Sequence, residues 1–126
     1  MVRLDRIYTG GGDTGQTSLG DGARVAKHDR RVAAFGDVDE ANAAIGIARN
    51  HAAADGNDAV AGILGAIQND LFDLGADLCV PADRPGKTTL RISETQVSRL
   101  EREIDAANED LQPLQSFVLP GGSALA

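Results

Sequence analysis

"DAVAGILGAIQNDLFDLGADLC", residues 58–79, is the stretch that decides the fold. Val60, Ile63, Leu64, Ile67, Leu71, Leu74 and Leu78 recur at intervals of three and four, which places them on one face of an α-helix. A strand would need alternation, and the polar residues between these positions do not alternate. Asp58 opens the helix and Pro81 stops it. Upstream, "ADGN" at 54–57 breaks the chain from an earlier helical pattern. That pattern is capped by Asp29 and carries Val32, Phe35, Val38, Ile45 and Ala48 at roughly helical spacing, with Gly36 and Gly46 as candidate points of close packing. Downstream, "VPADRPGKT" at 80–88 reads as a surface loop. In "SETQ" at 93–96, Ser93 and Gln96 then fit a capping box for a third helix, with Val97, Leu100, Ile104 and Leu111 as its stripe and Pro113 as its end. The fold class is therefore all-α, an up-and-down helical bundle.

The composition agrees. The 126 residues suit one domain, and 42% are hydrophobic while only 3% are aromatic, so an aliphatic core is expected. A net charge of −7 argues against nucleic acid or an anionic membrane as the main partner. It leaves room for an anionic small molecule held by a few local cations. Cys79 is alone, so no internal disulfide forms, and its apolar helical setting reads as a buried structural thiol. No apolar run is long enough to span a membrane, and "MVRLDRIY" lacks the apolar centre of a signal peptide, so a cytoplasmic protein is expected. His28 and His51 read as surface residues with no metal-site spacing, and no metal ligands are assigned.

Residues 1–30 do not read as helix. "YTGGGDTGQTSLGDG" at 8–22 is dense in glycine, the residue that loses most conformational freedom on folding. "GGGDTG" at 10–15 matches the dinucleotide pattern G-x-G-x-x-G, but neither the strand before it nor the parallel sheet around it is visible. "GGGDTGQT" at 10–17 matches a phosphate-binding P-loop except that Gln16 stands in place of the lysine. Its chemistry is still similar: glycines let backbone N–H groups turn inward as an anion nest, and Thr9, Thr14, Thr17 and Ser18 add hydroxyls. The positive charge can come from Lys27 or Arg24. On these residues alone, a flexible tail fits equally well.

Three stretches in this order, "RIYTGGGDTGQTSLGDGARVAKHDRRVAAFGDVDEANAAIG", "IQNDLFDLGADL" and "FVLPGG", resemble the PduO-type ATP:cob(I)alamin adenosyltransferases over nearly the whole chain. The resemblance implies a five-helix, ferritin-like bundle assembled as a homotrimer with active sites between subunits. It implies transfer of the 5′-deoxyadenosyl group of ATP to the cobalt of cob(I)alamin, with triphosphate leaving and Mg²⁺ bound with the ATP. A reductase and an adenosylcobalamin-dependent enzyme follow as partners. A single domain over 1–126 then divides into an ATP-binding segment, 1–30, and the bundle, 31–126. By the same resemblance, Thr9, Gly12, Asp13, Gly15, Thr17 and Lys27 grip the triphosphate, with Asp13 acting through Mg²⁺ or by shaping the loop. Phe117 faces the lower side of the cobalt; read by itself it is a core anchor before a turn. Asp39 shapes the corrin site, with Asn42 in the same "DVDEAN" motif; read by itself this is a solvated helix face. A non-catalytic ATP- or cobalamin-binding carrier on the same bundle is the alternative.

Two departures stand out. Gly10 occupies a position where the family carries Lys or Arg, and His28 replaces an acidic residue. The family also continues after the Pro-Gly-Gly turn with a helix bearing an Arg-Ala-Glu-Arg motif, whereas here Ser123 resembles a helix cap and only Ala124, Leu125 and Ala126 follow. The expectation is a chain cut short before its last helix, with apolar stripes exposed and activity lost or nearly so.

Overall fold

The computed structural model describes residues 6–82 and 90–126. Three α-helices account for most of it: α1 Arg30–Ala54, α2 Asp58–Cys79 and α3 Glu94–Asn108. A short antiparallel hairpin precedes them, with β1 at Gln16–Ser18 and β2 at Arg24–Ala26. The helical expectation holds, and α2 has the bounds read from its stripe. The hairpin corrects the reading of residues up to 30 as loop throughout. The part of the 80–88 loop from 83 onward lies outside the described residues.

Capping chemistry sets the helix ends. The Asp29 carboxylate accepts from the Arg31 backbone N–H at 2.8 Å and starts α1. At the other end Gly56 adopts φ 73°, the left-handed conformation that glycine reaches without a Cβ clash. Its N–H bonds the Ala53 carbonyl at 3.1 Å, and the Asn57 N–H bonds Ala52 at 2.8 Å, the two bonds of a Schellman motif. Asn57 also caps α2, its side chain accepting from the Val60 N–H at 3.2 Å. One tight corner therefore ends α1 and begins α2, and so short a connection makes the two helices antiparallel neighbours. Gln96 Oε1 accepts from the Ser93 backbone N–H at 2.9 Å, the backward-reaching half of the expected capping box.

Leu111 corrects the third stripe. It lies beyond the end of α3 at Asn108 and is exposed. The acidic pair Glu109 and Asp110 is unfavourable at a helix C-terminus, and Pro113 pushes the residue before it out of helical geometry. The Ser123 carbonyl accepts from the Ala126 N–H at 3.1 Å in a single turn, after Gly121 and Gly122 at φ 152° and 134°.

The α1–α2 pair is closely packed at Gly46 and Gly65. A Cβ on Gly46 would lie 2.9 Å from Gln68 Nε2, and one on Gly65 would lie 3.0 Å from the Arg49 guanidinium carbon. Gly36 does not serve this purpose, since a Cβ there would meet nothing within 4 Å. Of the apolar side chains, only Leu19 and Ala52 are buried among the described residues. The expected aliphatic core is thus half-covered: α1 and α2 form one layer, and α3 leans on α2 across an apolar groove lined by Val60, Ile63, Leu64, Ile67, Leu100 and Ile104. Arg99 fastens the two, pairing with Asp70 on α2 and with Glu103 on its own helix. No described helix is long and apolar enough to cross a membrane.

Candidate functional site

The glycine stretch folds into a compact loop on the base of the hairpin. Gly10 adopts φ 67°, and its carbonyl accepts from the Asp13 N–H at 3.2 Å. The Gly12 carbonyl accepts from the Gly15 N–H at 3.1 Å, so two successive turns wind the loop. Gly15, at φ 81°, redirects the chain into β1, and its carbonyl accepts from the Lys27 N–H at 2.9 Å. That bond extends the hairpin pairing of Gln16 with Ala26 and Thr17 with Val25 by one rung. The loop is ordered by the strand that follows it in sequence, a dependence that the local composition of 8–15 does not reveal.

Lys27 lies over this loop. A Cβ built on Gly12 would stand 2.9 Å from Lys27 Cε and 3.0 Å from Nζ. Any side chain at position 12 would require the tip of Lys27 to move. The ammonium is exposed, and no ion pair to it forms among the described residues. Thr9 and Asp13 are exposed on the same loop, with Thr9 Oγ1 3.6 Å from the Cβ position of Gly11 and Asp13 Oδ2 3.5 Å from that of Gly10. Thr17 is half-buried in β1. The structure brings Gly12 and Gly15 against Lys27, with Thr9 and Asp13 on the same loop and Thr17 in the adjoining strand; among the described residues the lysine has no ion-pair partner. Among the described residues no group of three or more His, Cys, Asp or Glu side chains is placed to hold a metal ion.

The tip of the hairpin is seated on the end of α2. The Gly20 N–H donates to the Cys79 carbonyl at 3.0 Å, and a Cβ on Gly20 would approach Val80 Cγ2 to 2.8 Å. Leu19 is buried beneath it. The Cys79 side chain is half-exposed, not the buried thiol expected from its apolar run. The reason is that one side of the last turn of α2 opens into a groove of about 260 Å³, lined by Phe35, Asp39, Leu71, Phe72, Gly75, Ala76 and Cys79. Asp39 places a carboxylate in otherwise apolar surroundings there.

Asn42 and Phe117 stand apart from both places. The Asn42 amide donates to the Gln68 carbonyl at 3.2 Å, and Gln68 Nε2 donates back to the Asn42 carbonyl at 3.3 Å, so Asn42 clasps α1 to α2. Phe117 is fully exposed and lines no wall of the Asp39 groove. His28 is exposed, whereas His51 is half-buried in the last turn of α1. Arg24 acts differently from a free cation. It donates to the Gly11 carbonyl at 2.8 Å and to Ser18 Oγ at 3.1 Å. Of the two cations offered by the sequence, Lys27 is the one left open to a ligand.

Comparison with known proteins gives a concordant result. The profile of the family described as "Cobalamin adenosyltransferase" matches residues 7–126. The chain is 51% identical to a corrinoid adenosyltransferase of Mycobacterium tuberculosis over 99% of its own length and 64% of that protein's. It is 44% identical to the corrinoid adenosyltransferase PduO of Salmonella typhimurium, over 91% of this chain and 33% of that one. A variant PduO-type ATP:corrinoid adenosyltransferase from Lactobacillus reuteri, complexed with cobalamin and ATP, superposes with a TM-score of 0.84 at 35% identity, covering 95% of this chain and 66% of that one. The chain thus spans a little under two thirds of the length of these mycobacterial and lactobacillar relatives.

Proposed function

The chain belongs to the cobalamin adenosyltransferase family, and from that premise we propose that it transfers the 5′-deoxyadenosyl group of ATP to the cobalt of cob(I)alamin. The cobalt lone pair attacks the 5′ carbon and forms the Co–C bond. The C–O5′ bond breaks, its electrons leave with triphosphate, and cobalt passes from Co(I) to Co(III). No proton moves at the reacting atoms, so no general base is required. The protein's tasks are to align the two substrates and to stabilise the charge that grows on the triphosphate.

The observation that carries this reading is the Lys27 ammonium held against Gly12 without a carboxylate partner among the described residues. A cation already close to the loop backbone is placed to meet charge as it develops on the triphosphate. Gly10 supplies no charge of its own, which leaves Lys27 as the open cation of the described loop. Mg²⁺ comes with ATP as its counter-ion, with Asp13 the carboxylate nearest to hand in the loop. No described cluster would hold the metal without the nucleotide.

The groove holding Asp39 is the proposed corrin face, since apolar walls at Phe35, Leu71 and Phe72 suit a large flat macrocycle. Phe117, whose ring is fully exposed, is proposed to cover the lower side of the cobalt and exclude water. A homotrimer is proposed as the assembly; exposed Ile47, which lines neither groove, is consistent with a covered surface there. The test is anaerobic incubation of the purified protein with MgATP and chemically reduced cobalamin, followed by absorbance. Formation of adenosylcobalamin that depends on Lys27 supports the reading. Binding of both ligands without product supports a carrier instead.

A further inference from the structure

Arg24 holds a peptide rather than a charge. Its Nη2 donates to the Gly11 carbonyl at 2.8 Å and its Nη1 to Ser18 Oγ at 3.1 Å. Ser18 is the residue paired with Arg24 across the hairpin, so the guanidinium is anchored at the strand and reaches back to the loop. The Gly11 carbonyl and the Gly12 N–H belong to one planar trans peptide, in which the two groups point in opposite directions. Fixing the oxygen on Arg24 therefore fixes the direction of the Gly12 N–H. This peptide is the central one of the turn closed by the Asp13 N–H on the Gly10 carbonyl, and with glycine on both sides that closure admits either orientation of it. Gly12 is also the residue against which Lys27 Nζ lies.

Resting on the adenosyltransferase reading, we propose that Arg24 is a positioning residue for the triphosphate. It orients the Gly11–Gly12 peptide so that the Gly12 N–H is presented as a fixed donor beside the Lys27 ammonium. The role depends on the planar fork of arginine, which spans two acceptors at once. Lysine keeps the charge but has no fork.

The experiment is ATP titration by calorimetry together with steady-state adenosyl transfer, on the parent protein, Arg24→Ala, Arg24→Lys and Ser18→Ala. Loss of an aligned donor is expected to raise the KM for ATP about tenfold in both Arg24 variants. The KM for cobalamin and the thermal midpoint without ATP should stay unchanged, because the Arg24 contacts are exposed. Ser18→Ala, which keeps the Gly11 contact, should give a smaller rise. Restoration of ATP binding by Arg24→Lys would overturn the proposal, since charge alone would then suffice. An unchanged KM for ATP in Arg24→Ala would overturn it while leaving the adenosyltransferase reading intact. Equal rises in both KM values with a lowered thermal midpoint would reduce Arg24 to a fold contact and overturn it as well. A parent protein that neither binds ATP nor forms adenosylcobalamin would overturn the reading and the proposal together.

Discussion

Gly12→Ala should weaken ATP binding without weakening the fold. The new methyl carbon would stand 2.9 Å from Lys27 Cε, 3.0 Å from Nζ and 3.3 Å from the Gln16 carbonyl oxygen. Comfortable contacts between carbon atoms begin near 3.5 Å, so the tip of Lys27 must swing away by roughly half an ångström or more. The Gln16 contact needs only a few tenths. Gly12 does not adopt a positive φ, so alanine meets no backbone strain, and a reduction in unfolded-state entropy of about 0.4–1 kcal/mol favours it. Stability should therefore hold or rise slightly. Binding should not: one charge-assisted hydrogen bond is worth about 1.5–3 kcal/mol, and its loss corresponds to roughly a tenfold to hundredfold increase in Kd. Isothermal titration with MgATP measures this directly. Lys27→Ala should cost at least as much, and adding Gly12→Ala to it should cost little more, because the displaced group is already gone. If Gly12→Ala binds ATP like the parent while Lys27→Ala does not, the methyl has not moved the ammonium and the steric argument fails.

Other outcomes follow from the same geometry. Gly20→Val should unseat the hairpin, since any Cβ there approaches Val80 Cγ2 to 2.8 Å and Cys79 Sγ to 3.3 Å; the overpacking cost is about 1–3 kcal/mol, visible in chemical denaturation. Gly36→Ala should stabilise α1 by about 1 kcal/mol, because nothing lies within 4 Å of the new methyl. Gly46→Ala should be neutral to destabilising by up to about 2 kcal/mol: the same propensity gain is outweighed by displacing Gln68 from its bonds with Asn42 and Arg49, each worth about 0.5–1.5 kcal/mol. Asp77 is held below the usual carboxylate pKa by the Ile92 backbone N–H and then by Arg91. Its stabilising contribution is therefore present above the unfolded-state value near about 4 and is lost as pH falls through the depressed folded value. The stability gap between parent and Asp77→Asn, measured by urea denaturation across pH, should narrow over that acidic window; a gap that widens there would contradict the assignment.

The helices were legible because their signals are local. The α2 stripe, the Asp29 cap and the Gly56 corner each lie within a few residues of what they control. The hairpin was not, because strands of three residues show no alternation to read. The available signal was Asp21-Gly22 between β-branched Thr17 and Val25: Gly22 adopts φ 89°, and the Asp21 carboxylate accepts from the Ala23 N–H at 2.9 Å. The site was half legible. Composition pointed to an anion loop and offered two cations, but dividing them required the structure. Arg24 pairs with Ser18 and turns back to Gly11, whereas Lys27, three residues later, is left to cover Gly12. The motif makes Asn42 a candidate ligand contact. Its Nδ2 donates to Gln68, a partner on another helix that no local pattern could name, while its buried Oδ1 has no hydrogen-bond partner.

The end of α2 is where the hairpin and the groove meet. The last carbonyls of a helix lack intrahelical donors, and α2 has no basic residue in its last turn to meet them. Three distant segments supply donors instead. Arg31 from the first turn of α1 bonds the Leu78 carbonyl at 2.8 Å, and the Gly20 N–H from the hairpin tip bonds that of Cys79 at 3.0 Å. Arg91, ahead of α3, bonds those of Asp77 and Val80, each at 2.9 Å. Unmet buried carbonyls would cost free energy, so each docking is stabilised by a need that α2 itself creates. The consequence is spatial. Cys79 accepts the hairpin tip through its carbonyl and lines the Asp39 groove, so the tip and the apolar groove meet at the same helical turn, with the Lys27 loop at the other end of the hairpin. The adenosyl transfer proposed above would depend on holding two separately bound substrates at a set separation. The hairpin, seated by its tip on the turn of α2 that borders the groove, is the element that would set that separation.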